Sequence, residues 1–336
     1  MTRVFDAGKL PLDTLKQVVF RRGGSKRPEV LVYPSIGEDT SVVDVGSELL
    51  VISTDPITGA QENAGWLGVK VALNDIGASG AEPICIMVTL LLPEGTIHDD
   101  FSAIIDDIHR ACVEENVAIA GGHSEVTPGL SKPIISVTAV GKTVGRKVLR
   151  ASGARPGDDI VMTKWAGMEG TAILAKDFRG VLQERIDLEL LDQAEKLMAW
   201  VSVTKDGRIA LLNGATGSHD ATEGGVLGAI YEVCEASGTG ARVDVQAIPV
   251  LRCTQEISRI AGIDPLRLVA SGCLVITAPD GPSLCEAYRQ NGINAQVVGK
   301  ITSGDRCLVV SGELFPLESP KSDELWRARQ FFEGMR

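Results

Sequence analysis

The amino-acid sequence predicts a mixed α/β protein built from two domains of similar size. The chain has 336 residues, and a typical domain has about 150. Apolar runs typical of strands alternate with amphipathic patterns typical of helices. Residues 145–158, which are rich in glycine and arginine, interrupt this alternation and predict a break. We therefore place one domain over residues 1–150 and a second over residues 151–336.

Four apolar runs predict the strands of the first domain. They lie at residues 49–54, 84–92, 117–122 and 134–144. Several are apolar at odd and even positions alike, which is typical of strands covered on both faces. Between the second and third runs, apolar residues recur at helical spacing, with acidic residues on the other face. They are Ile97, Phe101, Ile104, Ile105, Ile108 and Cys112. We expect His109, on the same helix, to face solvent.

The second domain mixes strands and helices in the manner of an α+β fold. Predicted strands lie at 159–167, 272–279, 295–301 and 306–311, and predicted helices lie at 170–178, 187–200 and 226–237. The end of the chain also has a helical pattern, but it carries no motif.

Composition and charge argue against several classes of protein. The net charge is −11, which is unfavourable for binding nucleic acid through a basic surface. Seven cysteines occur without a C-x-x-C pair, unlike a disulfide framework or a thiolate zinc site. No apolar run approaches the ~18 residues of a membrane span, and the N-terminus lacks the apolar segment of a secretory signal. We therefore expect a cytoplasmic protein that binds neither nucleic acid nor membrane.

One polar stretch, HDATEGGVLGAI at residues 219–230, has two interpretations. It could be an ordinary capped helix, in which Asp220 or Thr222 accepts hydrogen bonds from free backbone N–H groups. It could also be a phosphate or metal site, because the same N–H groups and the helix dipole attract anions. The stretch alone does not decide between them.

Acidic residues recur where apolar runs end, and such residues can converge because loops at strand ends meet. They are Asp39, Asp55, Asn74 with Asp75, Glu125, Asp220 and Glu223. Oxygen ligands without a histidine–cysteine cluster suit magnesium. Each residue alone could instead close a strand or cap a helix. Asp75 is harder to explain in this way, since an Asn-Asp pair inside an apolar helix needs partners if it is buried.

The common phosphate-binding and hydrolase motifs are missing from the chain. It has no P-loop pattern, no G-x-G-x-x-G after a first strand, and neither G-x-S-x-G nor H-E-x-x-H. A basic stretch, RRGGSKRP at residues 21–28, could clamp a phosphate chain or could be a solvated loop.

Six segments, taken in order along nearly the whole chain, resemble the superfamily of aminoimidazole ribonucleotide synthetase. They are GEDTSVV (37–43), STDPITG (53–59), VALNDIGASGAEP (71–83), GGHSEVTPG (121–129), PGDDIVMTKWAGMEGTAILA (156–175) and SHDATEGGVLGAI (218–230). Other members include the hydrogenase-maturation carbamoyl dehydratase, selenophosphate synthetase and thiamine-monophosphate kinase. The chain is most similar to the hydrogenase-maturation type, through residues 162–175 and 219–225.

This resemblance implies a fold and an activity. The fold would be an N-terminal α/β domain that forms a homodimer through its sheet, followed by a C-terminal α+β domain. ATP and Mg²⁺ would lie between the domains, and ATP would activate an oxygen of an amide, carbamoyl or similar small-molecule substrate. Catalysis would depend on positioning and charge neutralisation. The maturation enzymes also imply a metalloenzyme-maturation protein as a partner.

The resemblance also assigns roles to individual residues. Metal or phosphate binding would fall to Asp39, Asp55, Asp75 and Asp220, and cofactor binding also to Asn74, Gly121, Gly122, Glu125, Gly224 and Gly225. The glycine pairs would let the backbone approach phosphate closely. His123 and His219 are the candidates for acid–base catalysis, because imidazole titrates near neutral pH.

The chain departs from each relative, which leaves the substrate open. The hydrogenase-maturation enzyme carries its carbamoyl group on a terminal cysteine, whereas the last cysteine here is Cys307. Selenophosphate synthetases use a reactive residue near the N-terminus, whereas the first cysteine here is Cys85. Thiamine-monophosphate kinases have paired aspartates where this chain has Glu38 and Asp39, and an acid in place of His123. The alternatives to the enzyme are a non-catalytic nucleotide-binding maturation or scaffold protein, or a small-molecule kinase of the thiamine-monophosphate type.

Overall fold

The computed structural model describes residues 12–22, 24–57, 63–320 and 322–335. The first half contains α1 (Leu12–Thr14, continued by a π-helical turn at Leu15–Val19), β1 (Val30–Val32), β2 (Ser41–Asp44), β3 (Leu49–Ile57), α2 (Ala64–Ala78), β4 (Glu82–Leu92), α3 (His98–Glu114), β5 (Ala118–Val126) and β6 (Ile134–Lys142). The second half contains β7 (Asp159–Thr163), α4 (Met168–Asp177), α5 (Arg179–Leu182), α6 (Leu188–Lys196), α7 (Thr204–Leu212), β8 (Gly217–Asp220), α8 (Gly225–Ser237), β9 (Gly240–Asp244), α9 (Arg252–Ala261), β10 (Leu274–Ala278), α10 (Gly281–Gln290), β11 (Ala295–Thr302), β12 (Arg306–Val310), β13 (Glu313–Pro316) and α11 (Glu324–Glu333).

The strands of the first half form one six-stranded sheet, in the order β1-β2-β3-β6-β4-β5. Its pairs are antiparallel except for β4 and β5, which are parallel. The four predicted strands are confirmed as β3, β4, β5 and β6. Helix α2 packs on the sheet through Val69, Leu73 and Ile76, which are buried with the inward side chains of the strands. This N-terminal unit is an α/β domain, as predicted.

The other face of this sheet is open in a single chain. Met87 of β4 is 51% exposed, and β5 is exposed along its whole length because it is an edge strand that pairs only with β4. The expectation that these strands are covered on both faces is therefore wrong for a single chain. In these strands, the apolar residues at odd and even positions face opposite sides of the sheet, of which one packs on helices and the other is open.

Helix α3 matches the predicted amphipathic pattern only in part. Ile108 and Cys112 are buried, but Ile97 and Ile105 are 59% and 37% exposed. Ile97 precedes the first turn, where the chain enters the helix from solvent. His109 is exposed, as predicted.

The strands of the second half form a seven-stranded sheet, in the order β13-β12-β9-β11-β7-β10-β8. Helices cover both faces of its centre, so that every residue of β10 is buried. All pairs are antiparallel except β12 with β9. The predicted helix at 187–200 is α6 followed by a 3-10 turn at Leu197–Trp200.

The two sheets meet through a close contact between α2 and α7. A Cβ atom on Gly207 of α7 would lie 1.7 Å from the carbonyl oxygen of Gly77 on α2. Asn74 of α2 is fully buried and donates from Nδ2 to the carbonyl of Val201 (2.6 Å), while its Oδ1 accepts from the backbone N–H of Val203 (2.9 Å). The C-terminal half of α2 is therefore held firmly against the second domain. Among the helices that the structure describes, none is long and apolar enough to cross a membrane.

Candidate nucleotide and metal site

A buried carboxylate, Asp75, lies on α2 at the junction of the two domains. It is 7% exposed and accepts a hydrogen bond from the hydroxyl of Ser53 on β3. Burial raises the pKa of Asp75 well above its ordinary value, and the negative charges of Asp220, Asp55 and Asp39 raise it further. Asp75 is thus buried with a partner, as the sequence requires, and is surrounded by other acids.

The polar stretch at residues 219–230 begins as a strand. His219 and Asp220 end β8, where they pair with Val275 and Leu274 of β10, and both are about 1% exposed. Nε2 of His219 lies 2.8 Å from a carboxylate oxygen of Glu232 on α8, and Nδ1 lies 2.6 Å from Oδ2 of Asp39. The imidazole is therefore fixed between two carboxylates from different parts of the chain.

The charge of His219 is set by these two neighbours. Burial alone lowers the pKa of this imidazole, but Asp39 and Glu232 outweigh burial and raise the pKa well above its ordinary value. Nδ1 of His219 has no hydrogen-bond partner among the described residues. Its contact with Asp39 is therefore described as an ion pair. The raised pKa favours the protonated imidazolium, whose positive charge faces the carboxylates of Asp39 and Glu232.

Asp220 completes the cluster with an unused acceptor. Its Oδ2 is buried and has no hydrogen-bond partner in the described part of the chain. Burial, together with Asp39 and Asp55, raises the pKa of Asp220 to about 7, and the positive charge of His219 opposes that rise. One potential ligand atom each from Asp39, His219 and Asp220 lie within 4.8 Å of one another.

These residues fit a divalent cation that prefers oxygen ligands. The buried carboxylates of Asp75 and Asp220 and the more exposed ones of Asp39 and Asp55 repel one another, and Oδ2 of Asp220 has no partner among the described residues. A cation there would remove both costs. Mg²⁺ is commonly held by one or two carboxylates together with substrate phosphates. All four predicted metal ligands, Asp39, Asp55, Asp75 and Asp220, lie close together, since the negative charges of the others raise the pKa values of Asp75 and Asp220. Their role as ligands stays a prediction.

Helix α8 does not begin with a side-chain cap from Asp220 or Thr222, which the capped-helix interpretation predicted. The residue that precedes α8 is Gly224, and its N–H donates to Oδ2 of Asp323 (2.7 Å), so neither Asp220 nor Thr222 is the cap. A Cβ atom on Gly224 would lie 2.8 Å from Pro320, and one on Gly225 would lie 2.6 Å from the carbonyl oxygen of Leu266. Both glycines are thus explained by close packing within the chain, and their predicted approach to phosphate stays a prediction.

The candidate residues of β5 lie apart from the cluster in a single chain. Nε2 of His123 contacts Glu125 at 3.1 Å, and both side chains are exposed. In the sheet, His123 is opposite Thr89, Thr89 is opposite Ser136, and Ser136 is opposite Pro56 of β3. Three strand spacings separate His123 from Pro56, which is about 14 Å.

The glycines next to His123 differ in their surroundings. A Cβ atom on Gly122 would lie 2.0 Å from the carbonyl oxygen of Val88, so that this strand pairing requires glycine. A Cβ atom on Gly121 would have as its nearest neighbour the terminal methyl carbon of Met87, at 3.9 Å, so this position does not require glycine. A role for the β5 residues at the cluster therefore stays a prediction, as does the role of Asn74, whose amide is bound to the backbone of the second domain.

Two residues of the cluster were not predicted as site residues. Glu232 lies nine residues beyond the last polar residue of the HDATEGG motif, on an otherwise apolar face of α8, where it binds His219. An acid among the buried positions of an apolar helix is the signal that would have found it. The other is Ser53, which lies at the start of a motif quoted above but was not singled out. The described residues of the basic stretch, 21–22 and 24–28, are exposed, as the solvated-loop interpretation expects.

Comparison with known proteins agrees with this architecture. The family model for the N-terminal domain of AIR synthase related protein matches residues 37–143, and the model for the C-terminal domain matches residues 155–311. The chain is 30% identical to carbamoyl dehydratase HypE of Cupriavidus necator over 271 residues, which are 77% of this chain and 75% of the relative. It is 28% identical to carbamoyl dehydratase HypE of Rhizobium leguminosarum bv. viciae over 289 residues, 81% and 79% of the two chains.

Solved structures have the same fold. The hydrogenase maturation protein HypE in complex with ATP superposes with a TM-score of 0.70 at 20% identity, covering 96% of this chain and 97% of that one. A HypE–HypF complex contains a chain with a TM-score of 0.69 at 19% identity, covering 83% and 93%. The chain therefore belongs to the AIR synthase related family, with its N-terminal α/β and C-terminal α+β domains.

Proposed function

We propose that this protein is an ATP-dependent enzyme that phosphorylates or dehydrates a small polar substrate. The observation that carries the proposal is the carboxylate cluster of Asp39, Asp55, Asp75 and Asp220, with its unpartnered oxygen, at the junction of the two domains. Relatives named carbamoyl dehydratase and a related fold with bound ATP support the same activity.

The roles of the residues follow from their surroundings. Mg²⁺ held by the four carboxylates would neutralise the phosphate charges of ATP when it is bound. Both ring nitrogens of His219 face carboxylates, so we assign this residue the positioning of Asp39 in place of the predicted acid–base role. The hydroxyl of Ser53 orients the carboxylate of Asp75 in the same way. The chain's own residues thus supply a fixed set of oxygen atoms.

The open face of the first sheet supports the proposed homodimer. A second copy would cover Met87 and the exposed strand β5, including His123 and Glu125. A solved structure named hydrogenase maturation protein HypE, and the solved HypE–HypF complex, support a maturation-protein partner. A cytoplasmic location without nucleic-acid partners belongs to the same proposal.

ADP release from Mg-ATP by the purified protein tests the proposed activity. We expect slow steady release that Asp39→Asn lowers by at least about 100-fold, because charge stabilisation at a phosphoryl group is a large catalytic effect. The matched control is Asp106→Asn, an exposed aspartate on α3. Equal release by Asp39→Asn and the wild type would refute the assignment. Tight binding of Mg-ATP with no turnover would instead favour the scaffold protein, and phosphate recovered on a stable product would favour the kinase.

A further inference from the structure

A cleft of about 190 Å³ lies between residues of α2, α4 and α11. Three parts of the chain form it: the first domain, the second domain, and helix α11 near the C-terminal end. Its apolar wall consists of Pro56, Ile57, Leu67, Val71, Ile173, Val269, Leu325 and Trp326. Its polar side chains are Glu169, Thr222, Glu223, Ser271, Asp323 and Arg329. This volume is below the roughly 300–1,000 Å³ of sites for drug-sized ligands, so the cleft suits a molecule of few heavy atoms.

Two residues that line the cleft, Val71 and Thr222, lie close in sequence to carboxylates of the cluster. Val71 precedes Asp75 by one helical turn on α2, a rise of about 6 Å, so the two side chains share a face of the helix. On the opposite side, Thr222 lies two residues after Asp220. A molecule in the cleft would therefore have one end next to the proposed phosphoryl-transfer site.

Glu169 gives the cleft a buried carboxylate with an unused acceptor. The residue lies in the first turn of α4 and is 7% exposed. Ser271 hydrogen-bonds to its carboxyl group, but Oε2 has no hydrogen-bond partner among the described residues. Burial raises the pKa of Glu169 to about 7, and the charges of Asp323 and Glu223 contribute to the rise. A buried oxygen of this kind needs a donor, and no described side chain supplies one.

The other charged groups of the cleft determine which donor fits. The carboxylate of Asp323 already accepts hydrogen bonds from the backbone N–H groups of Gly224, Val269 and Leu325. Arg329 is the single cationic side chain in this lining, and it pairs with Asp177 at 2.6 Å. The cleft therefore has an excess of negative charge, which disfavours phosphate or carboxylate groups and favours a cation.

We propose that this cleft binds the second substrate, and that this substrate carries a cationic nitrogen (ammonium, amidinium or guanidinium) on an apolar body. The nitrogen donates to Oε2 of Glu169, and the apolar body packs against Leu67, Val71 and Trp326. This assignment rests on the proposed function, since it names the class of molecule that would meet ATP at the cluster. Charge-assisted hydrogen bonds of this type are the strong ones in binding sites.

Three probes with a similar body and different charge test the proposal: phenethylamine, 2-phenylethanol and 3-phenylpropionate. Binding to the full-length protein is measured at pH 8, where Glu169 with its pKa of about 7 is ionised. Calorimetric titration compares the wild type, Glu169→Gln and the control Glu184→Gln, whose side chain is 73% exposed. We expect the amine to bind the wild type at least tenfold more tightly than the alcohol or the carboxylate. Glu169→Gln removes this preference but keeps the affinity for the alcohol within twofold, which shows that the cleft is intact, and Glu184→Gln changes neither.

Equal affinity for the amine and the alcohol in the wild type, or a preference for the amine that survives in Glu169→Gln, would overturn the assignment. Titration of the same wild-type sample with Mg-ATP separates the two proposals. If the amine binds as expected and Mg-ATP does not, the cleft is a site for cations but the proposed function fails. If Mg-ATP binds and the amine is not preferred, the proposed function stands and the substrate class is wrong.

Discussion

Replacing Asn74 by alanine should destabilise the protein by loosening the contact between its two domains. The side chain is fully buried and makes two hydrogen bonds to the backbone, one to the carbonyl of Val201 and one from the N–H of Val203. Alanine leaves both backbone groups buried without partners. Each such group costs about 1–3 kcal/mol, so we expect the free energy of unfolding to fall by about 2–6 kcal/mol.

Urea unfolding followed by tryptophan fluorescence and by circular dichroism measures this loss. The matched control is Asn294→Ala, which truncates an exposed asparagine and should change the free energy of unfolding by less than about 0.5 kcal/mol. A loss below about 1 kcal/mol for Asn74→Ala would contradict the reasoning. It would mean that the amide is free to serve another purpose, such as the cofactor binding predicted from the sequence.

Two further predictions concern stability. Burial raises the pKa of Glu169 from its ordinary 4.5 to about 7 in the folded protein. The contribution of this group to stability is therefore fully present below about pH 4.5 and is lost as the pH rises through 7. As the pH rises from 4.5 to 8, the free energy of unfolding of Glu169→Gln should increase by about 3 kcal/mol relative to that of the wild type. Unfolding free energies that change with pH in the same way in both proteins would contradict this prediction. Gly207→Ala places a Cβ atom 1.7 Å from the carbonyl oxygen of Gly77 and should cost about 1–3 kcal/mol by forcing α2 away from α7. Gly180→Ala, with no atom within 4 Å of the added Cβ, is the control in thermal unfolding, and an equal effect of the two substitutions would contradict this account of the interface.

The parts of the fold that could be predicted are those with long apolar signals. Strands β3, β4 and β6 are runs of nine or more residues in which the strand pattern is clear. Strand β8 could not be predicted in this way, because its four residues, Gly217–Asp220, include a histidine and an aspartate. The burial of β8 depends on pairing with β10, and that of His219 on its contacts with Glu232 and Asp39. Strand β10 and Asp39 are distant in sequence, so the local pattern does not reveal this burial.

Some residues of the candidate site could likewise be predicted from the sequence, and others could not. Asp39, Asp75 and Asp220 could be singled out because each closes or interrupts an apolar run, and the structure brings them together. The partnership of His219 with Glu232 depends on the rotation of α8, which local sequence patterns do not specify. The position of His123 could not be predicted, because it depends on β5 being the edge strand of the sheet, and local sequence patterns do not specify the strand order.

Calorimetric titration of the wild-type protein with ATP, in the presence and absence of Mg²⁺, tests the central claim most directly. The carboxylate cluster repels a free triphosphate and attracts a cation, so we expect affinity for ATP to increase at least about 100-fold when Mg²⁺ is present. Equal affinity in both conditions, or no binding at millimolar ATP, would show that Asp39, Asp55, Asp75 and Asp220 do not form a magnesium–nucleotide site.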